Sequence, residues 1–154
     1  AKFGLENTLL PIGCDFLEVV APVQPNTYAE RYLRRRGGDG GYMVICQTRT
    51  KADQDAHRAR AADAGVRVAW ESEGATWRYV QYHPGDMMGA FLTVDYDSAE
   101  SFSGAWTPAG GTGWEDSAST EVVDRMTAVE LQGPDPQELA NHWSRVTGIA
   151  LEDR

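Results

Sequence analysis

An internal repeat constrains this chain more than any other feature. Placing Phe16-Leu17-Glu18-Val19 over Phe91-Leu92-Thr93-Val94 gives three identities in four. Placing Gln47 over Gln132 aligns two strand-then-helix units closed by Gly65 and Gly148. Self-similarity of this kind points to one supersecondary unit used more than once. The most complete copy runs from Gly40 to Asp97 and reads as strand, helix, strand, strand, strand. PIGCDFLEVVAP repeats its end, and MTAVELQGPDPQELANHWSRVTG repeats its beginning. The expected class is therefore α+β, with tandem βαβββ modules incomplete at both ends. Residues 1–36 would hold the end of a first module plus a linker helix. Residues 37–119 would hold a complete central module with a long Gly/Trp loop, and 120–154 the strand and helix beginning a further module. A βαβββ unit alone leaves one face of a curled sheet open; pairing two such units closes a cleft lined by inward-facing side chains.

Local signals place the elements. LENTLLPI and DFLEVV alternate like strands and are joined at Gly13, as in an antiparallel hairpin. Thr27 with Glu30, Thr50 with Asp53, and Asp135 with Glu138 have capping-box spacing, each opening a helix, and Pro136 suits a first helical turn. Gly37, Gly65 and Gly148 are natural stops, and the glycines after Gly37 read as a hinge. The second helix is rich in alanine, and Ala52, Ala56, Ala59 and Ala62 are expected to form a small apolar face lying close against a sheet. Strands are expected at Tyr42–Thr48, Val66–Trp70, Trp77–His83, Gly89–Tyr96 and Met126–Gln132. In the last helix Leu139, His142, Trp143 and Val146 follow the i, i+3, i+4, i+7 rule of a core-facing stripe. The stretch from Ser98 to Ser119 has neither period and reads as a long loop, pinned to the body by Trp106 and Trp114.

Composition narrows the functions. Lys plus Arg total 14 against 23 Asp plus Glu, a net charge of −9. That balance excludes nucleic acid as a partner, since phosphate-backbone binding needs a basic surface. The one basic cluster, Arg34-Arg35-Arg36, falls where a helix ends and complements the negative end of its dipole. No apolar run approaches the ~20 residues of a membrane span, so no membrane partner is expected. Cys14 and Cys46 lack metal or redox spacing and read as buried reduced thiols, which suggests a cytoplasmic protein. No secretory leader is visible. The absence of an initiator Met, with half modules at either end, suggests a piece of something longer.

Chemistry is harder to read. On the second strand Glu18 is the one charge on a face shared with Phe16 and Val20. Trp77, Tyr79 and Gln81 alternate onto one strand face, either lining a cleft for a flat ligand or packing as core. His83 precedes Pro84 in a turn, and His57 and His142 lie within helices. No nucleophile–base pair, phosphate loop or zinc spacing occurs, so no catalytic residue is assigned.

DFLEVVAP, the pattern from YMVICQTRT to DAGVRV, and HPGDMMGAFLTVD together resemble the vicinal oxygen chelate superfamily of glyoxalases, extradiol dioxygenases and bleomycin-resistance proteins. The last segment is similar to one in methylmalonyl-CoA epimerases, where an HP-x-D turn precedes a strand ending in a metal-binding Glu. The resemblance implies a divalent metal held by His, Gln or Glu on the first and last strands of paired modules, acting as a Lewis acid. It places Glu18 at a last-strand metal position, Thr93 at the equivalent place in the central module, and Val44 at or near the first-strand position. Val44, Trp77, Tyr79 and Thr93 are then expected to face a ligand, with Glu18 the candidate metal residue. Glu18 can equally be a half-buried carboxylate satisfied by a neighbour. Two functions are implied: a metal-dependent lyase, isomerase or dioxygenase, or a non-catalytic module that binds and sequesters a small molecule. Either way the partners are a small-molecule ligand and a second module or second copy of the chain, as a homodimer.

Overall fold

A computed structural model describes residues 3–98 and 113–151. Among the described residues the strands and α-helices are, in order, β1 (Leu5–Ile12), β2 (Asp15–Pro22), α1 (Tyr28–Arg36), β3 (Met43–Gln47), α2 (Lys51–Asp63), β4 (Val68–Glu73), β5 (Trp77–Tyr82), β6 (Phe91–Asp97) and α3 (Pro136–Thr147). Two compact units result. The first takes the described residues up to Gly41 together with 113–127; the second takes Tyr42 to Ser98 together with the described residues from Ala128 onward.

In the first unit β1 and β2 form an antiparallel hairpin. Gly13 sits at its turn with φ +60, and a Cβ there would come 2.1 Å from the Asp124 carbonyl oxygen. Conformation and space both demand glycine at that position. Cys14 occupies the same turn and is exposed, which corrects the expectation of a buried thiol. Helix α1 begins as its capping box requires, the Thr27 hydroxyl accepting from the Glu30 amide at 3.1 Å, and ends at Gly37 in the left-handed region. Phe16 meets Trp114 edge to face with centroids 4.6 Å apart, so Trp114 does anchor the segment that bears it. Trp106 lies outside the described residues.

The second unit holds the complete module. Its sheet has the order β3-β6-β5-β4, with β3 parallel to β6 and the other pairs antiparallel. A right-handed crossover through α2 is the ordinary way to join strands of such a unit. The register assigns each strand two faces. Val44, Cys46, Val80, Tyr82, Leu92 and Val94 share the face that carries α2, and Val80, Tyr82, Leu92 and Val94 are buried there with Ala61, Met87 and Val146. Helix α3 joins this core through Val146, with Trp143 packed against it, and the Trp143 indole donates to the Met87 carbonyl at 2.9 Å. It therefore belongs to the same compact unit as the central sheet.

Two expectations about elements fail for physical reasons. Met126–Gln132 forms no strand. A strand exists only by pairing, and the Met126 amide instead donates to the Asp15 carboxylate at 2.9 Å. Helix α2 does not turn its alanine row inward: Ala52, Ala56, Ala59 and Ala62 are exposed, while Gln54, His57 and Ala61 are buried. Alanine offers little area to bury, whereas Gln54 finds hydrogen-bond partners for all it brings. Its amide donates to the Arg78 and Val94 carbonyls, each at 2.8 Å, and accepts from Arg78 Nε at 2.6 Å.

Candidate functional site

The face of the sheet away from α2 carries the candidate site. Ladder partners on neighbouring strands share a face, so Ile45, Thr93 and Gln81 form one row across β3, β6 and β5. Gln47, Asp95 and Tyr79 form the next row, and Asp97 with Trp77 the one after. The alternation expected for Trp77, Tyr79 and Gln81 is what positions them together. Val44 does not join them. It pairs with Leu92 on the helix side, and a displacement of one residue along a strand reverses the face. Ile45 stands beside Thr93 in its place.

The Trp77 and Tyr79 rings stack with centroids 4.7 Å apart and planes 18° from parallel. The indole also lies over Gly74, where a Cβ would come 2.6 Å from Trp77 Nε1. Glycine at that position leaves room for the ring to settle onto the backbone. Thr93, Asp95 and Asp97 are buried, yet Ile45 in the same face is 38 % exposed. Among the described residues the Thr93 hydroxyl, 7 % exposed as a residue, has no hydrogen-bond partner. Gln81 Nε2 makes one long contact to Met43 Sδ at 3.8 Å. Asp95 and Asp97, which the sequence reading passed over, already interact with neighbours. Their alternation with Thr93 on one strand was the signal available for finding them.

The other candidates resolve individually. Glu18 is half-buried on the Phe16–Val20 face of β2, and its Oε1 accepts from Asn7 Nδ2 at 2.7 Å. His83 Nδ1 accepts from the Gly85 amide at 3.1 Å, while Asp86 takes two hydrogen bonds from the Arg67 guanidinium at 2.7 and 2.8 Å. The HP-x-D turn thus ties the β5–β6 connection to the start of β4, and the Arg67 hydrogen bonds hold the Asp86 carboxyl below its ordinary range. His57 is buried under the sheet with Nδ1 3.2 Å from the Tyr82 hydroxyl. Burial, assisted by the Arg60 charge, lowers its pKa to about 4. His142 packs beside Arg145, its Nδ1 3.0 Å from the guanidinium.

A divalent metal does not fit the central module at the positions the resemblance implies. Those positions hold Val44, which has no donor atom and lies on the helix side, and Thr93, whose neutral hydroxyl is a weak ligand; Ile45, beside Thr93, offers no donor atom either. Among the described residues no three His, Cys, Asp or Glu side chains come together to hold a metal ion.

Residues 1–147 match the glyoxalase-like domain family. The chain belongs to that family. The fold agrees with methylmalonyl-CoA epimerase from Mycobacterium tuberculosis, at TM-score 0.50 and 21% identity over 71% of this chain and 69% of that one. Streptomyces coelicolor methylmalonyl-CoA epimerase variants in complex with 2-nitronate-propionyl-CoA are also similar, one at TM-score 0.47 and 23% identity over 64% of this chain and 72% of that one. No curated protein matches the chain. Membership in the glyoxalase-like family agrees with the resemblance to the vicinal oxygen chelate superfamily and with the α+β class of βαβββ modules. Among the described residues no helix is long and apolar enough to cross a membrane.

Proposed function

We propose that this glyoxalase-like protein binds a small organic molecule on the second face of its central sheet and does not perform metal-assisted chemistry there. The observation that carries this reading is the Ile45–Thr93 pair on the first and last strands, neither of which is a metal-binding residue type where the resemblance implies one. The seated Trp77–Tyr79 stack beside it supplies a flat apolar surface, the usual lining of a small-molecule site. Fold membership alone cannot choose between family functions, so the reading rests on these side chains. A thermal-shift screen of organic compounds and divalent ions tests it. Stabilisation by organic compounds is the expected result; stabilisation by metal ions alone would refute it.

The second reading, a metal-dependent isomerase, lyase or dioxygenase, is favoured by Glu18, a half-buried carboxylate on an otherwise apolar strand face. Its test is metal content of the purified protein with and without Glu18→Ala: a bound divalent ion lost in the variant would support it. Association of two copies, and residence in the cytoplasm, are proposals of the same standing. The first rests on the exposed Leu10, Leu17 and Val19 of the hairpin and is checked by light scattering.

A further inference from the structure

The β1–β2 hairpin repeats half of an arrangement that the central sheet completes. In the hairpin Leu17 pairs with Leu10, Glu18 with Leu9 and Val19 with Thr8. The repeat sets those β2 residues over Leu92, Thr93 and Val94, which pair with Tyr82, Gln81 and Val80 in the same antiparallel sense. On its other side β6 holds β3 in parallel, from Met43 opposite Phe91 to Gln47 opposite Asp95. Among the described residues β2 pairs with β1 alone. The counterpart of β3 is Ala128–Gln132, since Gln132 aligns with Gln47. That segment pairs with no strand among the described residues, and Val129 is 61 % exposed. Within one chain the preceding residues are tied to the hairpin by the Met126 amide on Asp15, and Thr127 to Glu130 stay exposed beyond it. An open strand edge and an unpaired extended segment are complementary main-chain surfaces.

We propose that the open edge of β2 takes Ala128–Gln132 of a second copy as a parallel strand, in the register of β3 on β6, each copy giving one strand and receiving one. The inference rests on the association of two copies proposed above and adds its surface and its register. Reciprocal exchange closes with two-fold symmetry, so assembly stops at the dimer. In that register Val129 lies opposite Leu17 and Leu131 opposite Val19, extending the apolar face that Leu10, Leu17 and Val19 expose. No proline interrupts the ladder, and Gly133 stands where Thr48 donates to the Asp95 carbonyl. One pair is adverse: Glu130 falls opposite Glu18, and like charges directly opposite weaken a ladder.

That adverse pair makes the register testable in the full chain. By sedimentation at graded concentrations, Glu130→Lys should tighten the dimer about tenfold, because two like-charge pairs become opposite ones. Glu121→Lys makes the same change of net charge away from the ladder and should tighten it less than about twofold at physiological salt. Glu18→Lys combined with Glu130→Lys should return the parent value. Leu17→Cys and Val129→Cys are placed in separate chains that also carry Cys14→Ser. Once mixed, a short bis-alkylating reagent should join them into a dimer-sized product that neither forms alone. Each chain brings one of the two thiols, so this product forms only between copies. Linkage inside a doubly substituted chain but not in the mixture, or equal responses to Glu130→Lys and Glu121→Lys, would overturn the inference. A dimer lacking these responses overturns it alone; a chain that stays monomeric overturns the association with it.

Discussion

Replacing Gln54 by methionine tests whether the seam between α2 and the sheet is held by hydrogen bonds. The two side chains are close in length and volume, so the change removes polar groups without opening a large cavity. In the parent the wholly buried Gln54 amide donates to two backbone carbonyls and accepts from the Arg78 guanidinium. Neutral hydrogen bonds contribute about 1 kcal/mol each and one to a charged group about 2 kcal/mol, while the methionine regains about 1 kcal/mol of apolar burial. The expected loss is about 3 kcal/mol. With a urea slope of about 2 kcal/mol/M, the midpoint should fall by roughly 1.5 M at unchanged slope. Gln54→Glu should be at least as damaging, because it keeps the acceptor for Arg78 but aims a carboxylate at two carbonyl oxygens. A midpoint loss below roughly 0.5 M for Gln54→Met would refute the account and leave the seam to apolar packing. A double-mutant cycle with Arg78→Met isolates the pair; coupling near zero would contradict the reciprocal bonding.

Other perturbations follow from the same coordinates. His57 stays neutral in the fold, with a pKa of about 4 against 6.5 when unfolded, so its contribution is complete above pH 6.5 and is lost as pH falls toward 4. The loss amounts to about 3 kcal/mol at most, and urea titrations at several pH values should lose that slope in His57→Phe; an unchanged slope refutes the assignment. Gly74→Ala should disturb the Trp77 platform, since the new methyl falls within 2.6 Å of the indole nitrogen. Near-ultraviolet circular dichroism should change while far-ultraviolet signal persists, and an unaltered near-ultraviolet spectrum would mean the ring is not seated there. Arg60 donates to the Val146 and Thr147 carbonyls at the end of α3. Arg60→Met should cost about 1–2 kcal/mol of unfolding free energy in urea denaturation, and a loss under 0.5 kcal/mol, expected only if water replaces the guanidinium at no cost, would count against that role.

Much of the architecture could be read from the chain because its signals are local. Thr27, Thr50 and Asp135 each cap the helix that their spacing announces. The misreadings share a different cause. In β3, an edge strand, Met-Val-Ile-Cys is apolar on both faces, so no alternation marks that Ile45 rather than Val44 shares the face of Thr93. In α2 the alanines and the Gln54–His57–Ala61 row are both helical faces. Choosing between them requires knowing that Arg78, Val94 and Tyr82 wait opposite with partners for the polar side chains. The Met126 strand failed because pairing is a property of two segments, and only one was in view.

The duplicated letters lead unequal lives. Leu92 and Val94 lie under a helix and are nearly closed to water, while their counterparts Leu17 and Val19 remain 49 % and 55 % exposed. Lysine substituted at Leu17 should pass almost unnoticed by the melting curve, whereas lysine at Leu92 should prevent folding. Kinship between two stretches of one polypeptide therefore says little about which mutations either will tolerate; the covering, not the ancestry, sets the tolerance.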